Sequence, residues 1–493
     1  MPDKTSTQHN ISLFLWVFVA LNAVFAYYEI TFFWGNHDWD WVKGTTQVLQ
    51  LNTGMFEGRY AKFILNVALF GGQILPLLNT IIAFALLAAG QVLLVNYWGL
   101  KTLSTRMLTA LIPALSPFIL GWLFFPINIL GNFSAVALVA GGLILTEKAG
   151  IWHKIAAIVC FITALGVYPS AIEMMLLCWA ARQILLPPTQ TKQMFSSLIV
   201  IIAALIIFKL ILSGLNQAGL VYMGHYNMQT ISLSDMLTRL PQTIALMFSQ
   251  MFVTLPFLPF SLKGFGIMLV VLAFYLSARK LKTLFLWGIM LGATVLSTFL
   301  TAVPEETAYM PRVNFYGLNY LYAVAIAVIL KQKKIYRNLG LVLGILYLLT
   351  SVKQNLEAQK VWRFGKMAEE RLIERTISRI EKQNPPLPIT PVIAGEMPLR
   401  PRYYANSYMK AAPYLLEAPL MVRHIPSGMF NFYAPTPLFT AHSQISTLTP
   451  ELYNYLKTAA RPWPAPEGMY IDNNYVILLL TQDGIKAIQD QLP

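Results

Sequence analysis

Long apolar stretches separated by short basic connections are the feature that most constrains the fold of this chain. A membrane-spanning helix needs roughly 20 apolar residues, and such stretches recur from Ile11 to about residue 351. The 493 residues are 56% hydrophobic and only 12% charged, which lies outside the range of a soluble globular protein. The sequence therefore predicts a mainly α-helical, polytopic membrane protein.

The apolar stretches predict about eleven transmembrane helices. They lie near residues 11–33, 76–98, 107–125, 132–147, 154–168, 170–186, 195–214, 264–278, 283–302, 313–330 and 335–351. We expect the first of them to be retained rather than cleaved as a signal peptide, because no convincing small-residue cleavage site follows it. Residues 241–262 are also apolar, but the prolines of PFLPF favour a re-entrant or interfacial segment. If this segment spans the membrane, the C-terminal tail changes sides.

The basic residues predict the orientation, because cations remain on the cytoplasmic side of a membrane. With a cytoplasmic N-terminus, all the clusters of Lys and Arg in short connections face the cytoplasm. They are Lys101 with Arg106, Lys148 with Lys154, Arg279 with Lys280 and Lys282, and Lys331 with Lys333, Lys334 and Arg337. The same arrangement places residues 34–60, 216–242, 304–312 and the whole tail on the opposite face.

The net charge of +14 does not indicate nucleic-acid binding. Residues 1–351 carry 21 Lys and Arg against 10 Asp and Glu, so most of the excess belongs to the membrane part. Cys160 and Cys178 lie in apolar stretches, where we expect them to pack as small hydrophobic residues and to form neither a disulfide nor a metal site.

Two domains are predicted: a transmembrane domain at 1–351 and an extracytoplasmic tail at 352–493. In the tail, residues 358–383 have apolar positions at helical spacing, PLPITPVIAGEM favours a strand, and MYIDNNYVILLL with TQDGIKAIQDQL favours paired strands and a helix. The tail is therefore expected to form a small α/β domain.

The first extracytoplasmic loop, residues 34–60, carries the strongest functional signal. Asp38 and Asp40 are two of the few acids in the membrane part, and a carboxylate can act as general base towards an incoming hydroxyl. Trp39 and Trp41 offer flat faces that suit sugar rings. Helix capping by one Asp and an interfacial aromatic belt are the alternative explanations.

Cations and further acids expected on the same face extend this signal. Arg59, Lys62 and Arg312 can neutralise phosphate, although snorkelling to lipid headgroups is the alternative for each. His37 can tune one of the two aspartates or bind a metal, but one His with two Asp is a weak metal signal. Glu305 and Glu306 can pair with Arg312 or coordinate a metal, although a solvated loop end is the commoner case. Glu173 stands alone in an apolar stretch, where a carboxylate usually faces the protein interior, and it follows the turn Tyr168-Pro169-Ser170.

These elements together resemble the bacterial membrane glucosyltransferases that modify O-antigen (the glucosyltransferase II, serotype-converting type) within the GT-C class. The likeness covers most of the chain. It rests on NHDWDW, Gly58-Arg59-Tyr60, the YPS turn, Pro311-Arg312 and the α/β tail. The acids here are split as Asp-Trp-Asp where this class often has adjacent acids, which leaves open whether Asp38 or Asp40 is the base.

The resemblance implies an inverting transfer of a sugar, with glucose the first candidate, from a polyprenyl-phosphate donor to a surface glycan such as O-antigen. The implied location is the bacterial inner membrane, with a periplasmic active site, membrane lipids as partners and no required cofactor or metal. Asp38 and Asp40 would be catalytic, and Arg59, Lys62 and Arg312 would bind the donor phosphate. The remaining candidates would contact substrate: His37, Trp39, Trp41, Tyr60, Tyr168, Glu173, Glu305 and Glu306.

Other function classes remain open at this point. A transporter or flippase of lipid-linked sugars would also be polytopic and basic, but it favours matching charged residues and helix breaks in two similar halves, which this sequence lacks. A non-catalytic assembly protein would tolerate loss of both aspartates. A GT-C enzyme that uses another sugar would keep the same charged residues.

Overall fold

The protein is described from a computed structural model. The structure describes residues 4–31, 54–71, 75–123, 125–186, 191–221, 238–242, 244–245, 260–296, 314–395, 449–472 and 475–490. Its helices of eight or more residues are α1 (Lys4–Thr31), α2 (Tyr60–Phe70), α3 (Pro76–Tyr97), α4 (Leu103–Ala114), α5 (Pro126–Glu147), α6 (Ile151–Val167), α7 (Ala171–Leu185), α8 (Thr191–Gln217), α9 (Phe260–Ser277), α10 (Leu281–Ala293), α11 (Leu318–Leu330), α12 (Lys334–Gln383), α13 (Pro450–Thr458) and α14 (Gln482–Gln489), and a short helix at Leu120–Leu123 follows α4. The strands are β1 (Thr390–Ala394), β2 (Met469–Ile471) and β3 (Tyr475–Leu479). Over these residues, the boundary between two compact units falls within α12, between Glu357 and Ala358.

The chain is a mainly α-helical, multi-pass membrane protein. Within the described part, seven helices are long and apolar enough to cross a membrane. They correspond to seven of the predicted spans: 11–33, 76–98, 107–125, 132–147, 195–214, 264–278 and 335–351. Three further predicted spans, 154–168, 283–302 and 313–330, correspond to the shorter apolar helices α6, α10 and α11.

Two helices differ from the predicted pattern. The span predicted at 170–186 is helix α7, which carries Glu173 and Arg182 and is therefore less apolar than its neighbours. Helix α2 is apolar over Tyr60–Leu69 and was not among the predicted spans; it is shorter than the roughly 20 residues that cross a bilayer. Residues 246–259 of the predicted re-entrant segment lie outside the described residues.

Helices α5 and α11 form the centre of the membrane unit. Helix α5 packs on α2, α3, α6, α7 and α8, and α11 packs on α4, α7 and α9. All 13 residues of α11 are buried, as expected for a helix that is apolar on every side and surrounded by others. By contrast, α8 leaves Ile199 64% and Leu210 66% exposed, so one face of it is available to lipid.

The second unit contains a three-stranded sheet of order β1-β3-β2. Strand β3 is central, pairing parallel with β1 and antiparallel with β2, and all five of its residues are buried. Its side chains alternate between two cores, because successive strand residues point to opposite faces. Val476 and Leu478 pack with Leu372 and Ile380 of α12 on one side, and the other side packs on α13 and α14.

Candidate functional site

A glycine-bounded turn brings a cation to the start of α2. Gly54 and Gly58 both have positive φ, 73° and 83°, on either side of a 3-10 turn at Met55–Glu57, and glycine adopts this conformation at no steric cost. The amide of Arg59 donates to the Gly54 carbonyl at 3.0 Å, and the Arg59 guanidinium pairs with the Glu57 carboxylate at 2.7 Å. The turn thereby fixes Arg59 at the N-cap of α2.

Lys62 follows in the first turn of α2 and is wholly buried. Its Nζ lies 5.7 Å from the centroid of the Trp122 ring and 5.5 Å from that of Tyr168. The guanidinium carbon of Arg59 lies 4.9 Å from the same Tyr168 ring. These distances are within the range of a cation–π attraction, which is stronger where the cation is desolvated. We call Arg59, Lys62, Trp122 and Tyr168 the cation–aromatic cluster.

A third ring, Tyr316, extends the aromatic wall. The rings of Trp122 and Tyr168 meet edge to face at 4.7 Å, and Tyr316 stacks on Tyr168 at 6.0 Å and lies 6.3 Å from Trp122. The buried Tyr316 hydroxyl donates to the Asn132 carbonyl at 2.7 Å. The wall thus joins α5 to the segments before α7 and α11.

Two glycines make room for the predicted site residues. A Cβ on Gly131 of α5 would lie 2.9 Å from Cγ of Lys62, and one on Gly166 of α6 would lie 2.7 Å from Cζ of Tyr60. Both distances are shorter than real Cβ contacts allow, so α2 packs closely because these positions lack side chains. Tyr60 also directs its hydroxyl towards the Ile162 carbonyl at 3.5 Å.

Glu173 lies in the first turn of α7 and has no exposed surface. The turn Tyr168-Pro169-Ser170 precedes it, with the Ala171 amide donating to the Tyr168 carbonyl at 3.0 Å. A Cβ on Gly317 would lie 2.7 Å from the Glu173 Oε2, so the carboxylate packs against the backbone that leads into α11. A carboxylate in the first turn of a helix is favoured by the helix dipole.

Several helices begin at this end of the membrane unit. Helices α3 and α5 start with a proline at the first position, which suits a residue without an amide hydrogen. Asn66 and Asn79 donate to the carbonyls of Ile127 and Pro126, at 3.4 and 2.7 Å, and so hold the starts of α3 and α5 beside α2. Helix α7 starts at Ala171, three residues after Tyr168, and α11 starts at Leu318, two residues after Tyr316.

The electrostatics of this end favour an anion. Helix N-termini carry positive partial charge, so Arg59 and Lys62 at the start of α2 are in a costly position for cations. Glu57 offsets part of this cost for Arg59. The ring face of Tyr168 offsets part of it for Arg59 and Lys62, and that of Trp122 for Lys62. A phosphate or similar anion brought to this end would gain from the two cations and from the helix starts together.

The described residues include five of the thirteen predicted site residues. Arg59, Lys62 and Tyr168 come together in the cluster, while Tyr60 and Glu173 lie in adjoining turns. The others lie outside the described residues: His37, Asp38, Trp39, Asp40, Trp41, Glu305, Glu306 and Arg312. Their assignments stay predictions.

Three neighbouring residues were not predicted from the sequence: Trp122, Tyr316 and Asn132. Trp122 lies near the end of an apolar stretch, as is typical of the aromatic belt, so its position alone gives no functional signal. Asn132 could have been identified from the sequence, because burying a side-chain amide in an apolar helix is energetically unfavourable and needs an explanation. No group of three or more His, Cys, Asp or Glu suited to a metal ion occurs among the residues the structure describes.

Comparisons with known proteins leave the chain without an assigned family. No protein-family model, no curated protein and no solved structure matches it significantly.

Proposed function

We propose that this protein is an inverting glycosyltransferase that moves a hexosyl group, with glucose the first sugar to test, from a polyprenyl-phosphate donor to a surface glycan such as O-antigen. The proposal includes membership of the bacterial membrane glucosyltransferases of the O-antigen-modifying, glucosyltransferase II type in the GT-C class. It requires no metal or other cofactor.

One observation carries the proposal: the buried ammonium of Lys62 lies against the faces of Trp122 and Tyr168, with Arg59 over the same tyrosine ring. Ionisable residues in a membrane-embedded bundle are costly and are usually functional. Cations suit the phosphate of a lipid-linked donor, and aromatic faces suit its sugar ring. A lipid-linked donor also needs a site that it can reach from the bilayer, which a multi-pass protein provides.

The proposed reaction begins at the acceptor. Asp38 or Asp40 takes the proton of the acceptor hydroxyl as the oxygen attacks the anomeric carbon of the donor sugar in line. The bond between this carbon and the phosphate oxygen breaks, and the configuration inverts. Arg59, Lys62 and Arg312 stabilise the departing polyprenyl phosphate, which carries less charge than a nucleotide diphosphate.

The topology belongs to the same proposal. We propose eleven spans in the bacterial inner membrane, a cytoplasmic N-terminus, and a periplasmic face that holds the first loop and a C-terminal α/β domain. The four strand and helix segments at 390–394, 469–471, 475–479 and 482–489 are consistent with such a domain, and we assign the domain to acceptor binding.

The test measures transfer in membranes supplied with polyprenyl-phosphate-glucose and acceptor glycan. Lys62→Met should lower the rate about 100- to 1,000-fold, which is the usual effect of removing one group that stabilises developing charge. Lys353→Met is the matched control, because the Lys353 side chain is 72% exposed and should leave the rate unchanged. Asp38→Asn and Asp40→Asn, at equal expression, identify the base.

Two results would overturn the proposal. If Lys62→Met transferred sugar as fast as wild type, the cluster would have no role in the reaction. If wild type transferred no sugar from a panel of polyprenyl-phosphate hexoses, glycosyl transfer itself would be wrong.

The second candidate function is a transporter or flippase of lipid-linked sugars. Full burial of both Lys62 and Glu173 favours it, since charged residues inside a bundle can line a pathway. Proteoliposomes discriminate the two functions: a flippase would move the lipid-linked sugar between leaflets without producing a glycosylated acceptor.

A further inference from the structure

The polar side chains beside the aromatic wall differ in chemistry from the cations. Asn132 has no exposed surface and Trp122 is 2% exposed. Among the described residues, the side-chain amide of Asn132 (Nδ2 and Oδ1) and the indole Nε1 of Trp122 have no hydrogen-bond partner. Buried polar groups in folded proteins are nearly always paired, so groups of this kind need an explanation. Together they offer two kinds of donor, Nδ2 and Nε1, and one acceptor, Oδ1.

Trp122 is a member of the cation–aromatic cluster, and Asn132 adjoins it. Asn132 follows Gly131, whose Cα packs on the Lys62 side chain, and its carbonyl accepts the hydrogen bond from Tyr316. The Trp122 ring contacts Tyr168 and Tyr316 and lies under the Lys62 ammonium. Asn132 thus touches the aromatic wall through its backbone carbonyl, and the unpaired Nε1 belongs to a ring of the wall itself.

This combination of groups favours one class of ligand. A phosphate only accepts hydrogen bonds and an acyl chain makes none, so neither satisfies a site with both donors and an acceptor. A sugar hydroxyl does both: it accepts from Nδ2 or Nε1 and donates to Oδ1. Aromatic faces beside these groups suit the apolar face of a sugar ring.

We infer that Asn132 and Trp122 form the subsite for the donor sugar, and that Asn132 selects the sugar by pairing with one of its hydroxyl groups. This inference rests on the proposed function and adds to it the residues that determine which sugar is transferred. A site built to pair with a hydroxyl discriminates strongly against an analogue that lacks it, because its own buried groups are then left unpaired.

The experiment compares polyprenyl-phosphate-glucose with its 2-, 3-, 4- and 6-deoxy analogues as donors. The full-length wild-type protein should prefer the parent donor to one analogue by about 10- to 100-fold, the factor that corresponds to an unpaired buried polar group. Asn132→Leu keeps a similar volume but removes the donor and the acceptor, and it should lose most of that preference at the same position. Trp122→Phe, which keeps an aromatic ring and removes Nε1, is the second variant.

The matched control is Asn319→Ala. Asn319 is a fully buried asparagine of the same unit, but its Nδ2 is already paired, because it donates to the Pro113 carbonyl at 3.1 Å. This substitution should lower the unfolding temperature and leave the donor preference as in wild type. The rise in unfolding temperature on adding each donor gives a readout of sugar selection that does not depend on transfer.

The outcomes separate the two proposals. If wild type transfers glucose but Asn132→Leu discriminates between the analogues as wild type does, the buried groups serve an internal water or the fold, and the sugar subsite is wrong. The same conclusion follows if wild type accepts all four analogues equally. If wild type transfers no hexose from any polyprenyl phosphate, the proposed function fails and this inference fails with it.

Discussion

Lys62 is held along its whole length. Its stem packs against Gly131, and its ammonium lies over the rings of Trp122 and Tyr168. A lysine near a membrane surface usually extends its flexible chain to reach water, whereas this one is fully buried. The surrounding residues thus determine where the charge lies, as expected for a group that has to meet a ligand at a defined place.

The close contact with Gly131 gives a prediction. Gly131→Ala places a methyl group 2.9 Å from Cγ of Lys62, and the short stem near the backbone has little freedom to move. The ammonium should therefore shift away from the rings and reduce sugar transfer by up to about 100-fold, the effect of a misplaced group at a reaction centre. Transfer assays at equal expression measure this.

Gly141→Ala is the control for that substitution. Gly141 lies on the same helix, α5, and a Cβ there meets nothing within 4 Å among the described atoms. Alanine at this position should increase helix stability by up to about 1 kcal/mol and leave transfer unchanged. Equal losses in both variants would show that the helix, and not the position of Lys62, limits the reaction.

At the residue scale, the sequence predicts which charged side chains are candidates better than it predicts which residues surround them. Arg59 and Lys62 were recognisable as cations beside an apolar stretch, and Glu173 as a lone carboxylate within one, because charges at these depths are costly and usually functional. Tyr316 and Asn132 were not recognised as a pair, because they are 184 positions apart in the chain. Their contact depends on how the segment before α11 packs on α5, which no local pattern specifies.

At the scale of elements, the far ends of the same helices form a second polar group. Lys331, at the end of α11, donates to the carbonyls of Leu185 at 2.8 Å and Trp98 at 3.4 Å, at the ends of α7 and α3. Arg182 in the last turn of α7 pairs through two hydrogen bonds with Glu147, the last residue of α5. Cations are favoured at helix C-termini, so this group stabilises four helix ends together.

The pair of Arg182 and Glu147 should contribute measurably to stability. The Arg182 and Glu147 side chains are 21% and 24% exposed. Nε of Arg182 donates to Oε1 of Glu147 at 2.7 Å, and Nη2 donates to Oε2 at 2.8 Å. Arg182→Gln should reduce the free energy of unfolding by about 1–3 kcal/mol, the usual cost of losing hydrogen bonds to a charged group. Thermal unfolding of the purified protein in detergent measures the decrease.

The pair of Lys353 and Glu357 provides the comparison. Nζ of Lys353 is 3.9 Å from Oε1 of Glu357, and the lysine side chain is 72% exposed. Loss of this ion pair should therefore lower the free energy of unfolding by at most about 1 kcal/mol. A double-mutant cycle on each pair separates the interaction energy from other effects of substitution. Similar coupling energies in the two cycles would show that the polar group at the helix ends does not hold them together.

Element boundaries were predicted less well than element types. Residues 335–351 and 358–383 were predicted as separate helices, a membrane span and an amphipathic helix, because the hydrophobic pattern changes between them. The structure joins them in α12, a continuous helix of 50 residues. A change in the hydrophobic pattern records a change in surroundings, and here the helix continues through it and through Gly365.

At the scale of the whole membrane unit, the helices have a common polarity. Helices α3, α5, α7 and α11 begin at the end that holds the cation–aromatic cluster and finish at the end that holds Lys331 and Arg182. The cluster end therefore collects helix starts and the opposite end collects helix finishes, which favours an anion at the first and cations at the second. The apolar pattern predicted the helices, and their common polarity follows from the contacts between them.

The proposed orientation is tested by labelling the two ends of α12. Lys334→Cys lies at the start of this helix, among the basic residues assigned to the cytoplasm, and Glu381→Cys lies near its end; both positions are exposed. The apolar first part of α12 should cross the bilayer. A membrane-impermeant maleimide added to intact spheroplasts should then label Glu381→Cys and leave Lys334→Cys unlabelled until the cells are opened.

The labelling is done in a Cys160→Ala background, because Cys160 is partly exposed, whereas the buried Cys178 can be retained. The opposite labelling pattern would place the tail in the cytoplasm and reverse the proposed orientation. Equal labelling of both positions in intact spheroplasts would mean that α12 does not cross the membrane. Lys334 follows Lys331, which lies at the helix ends opposite to the cation–aromatic cluster. Labelling of Lys334→Cys in intact spheroplasts would therefore place the cluster on the cytoplasmic side, away from the periplasmic face that the proposed reaction requires.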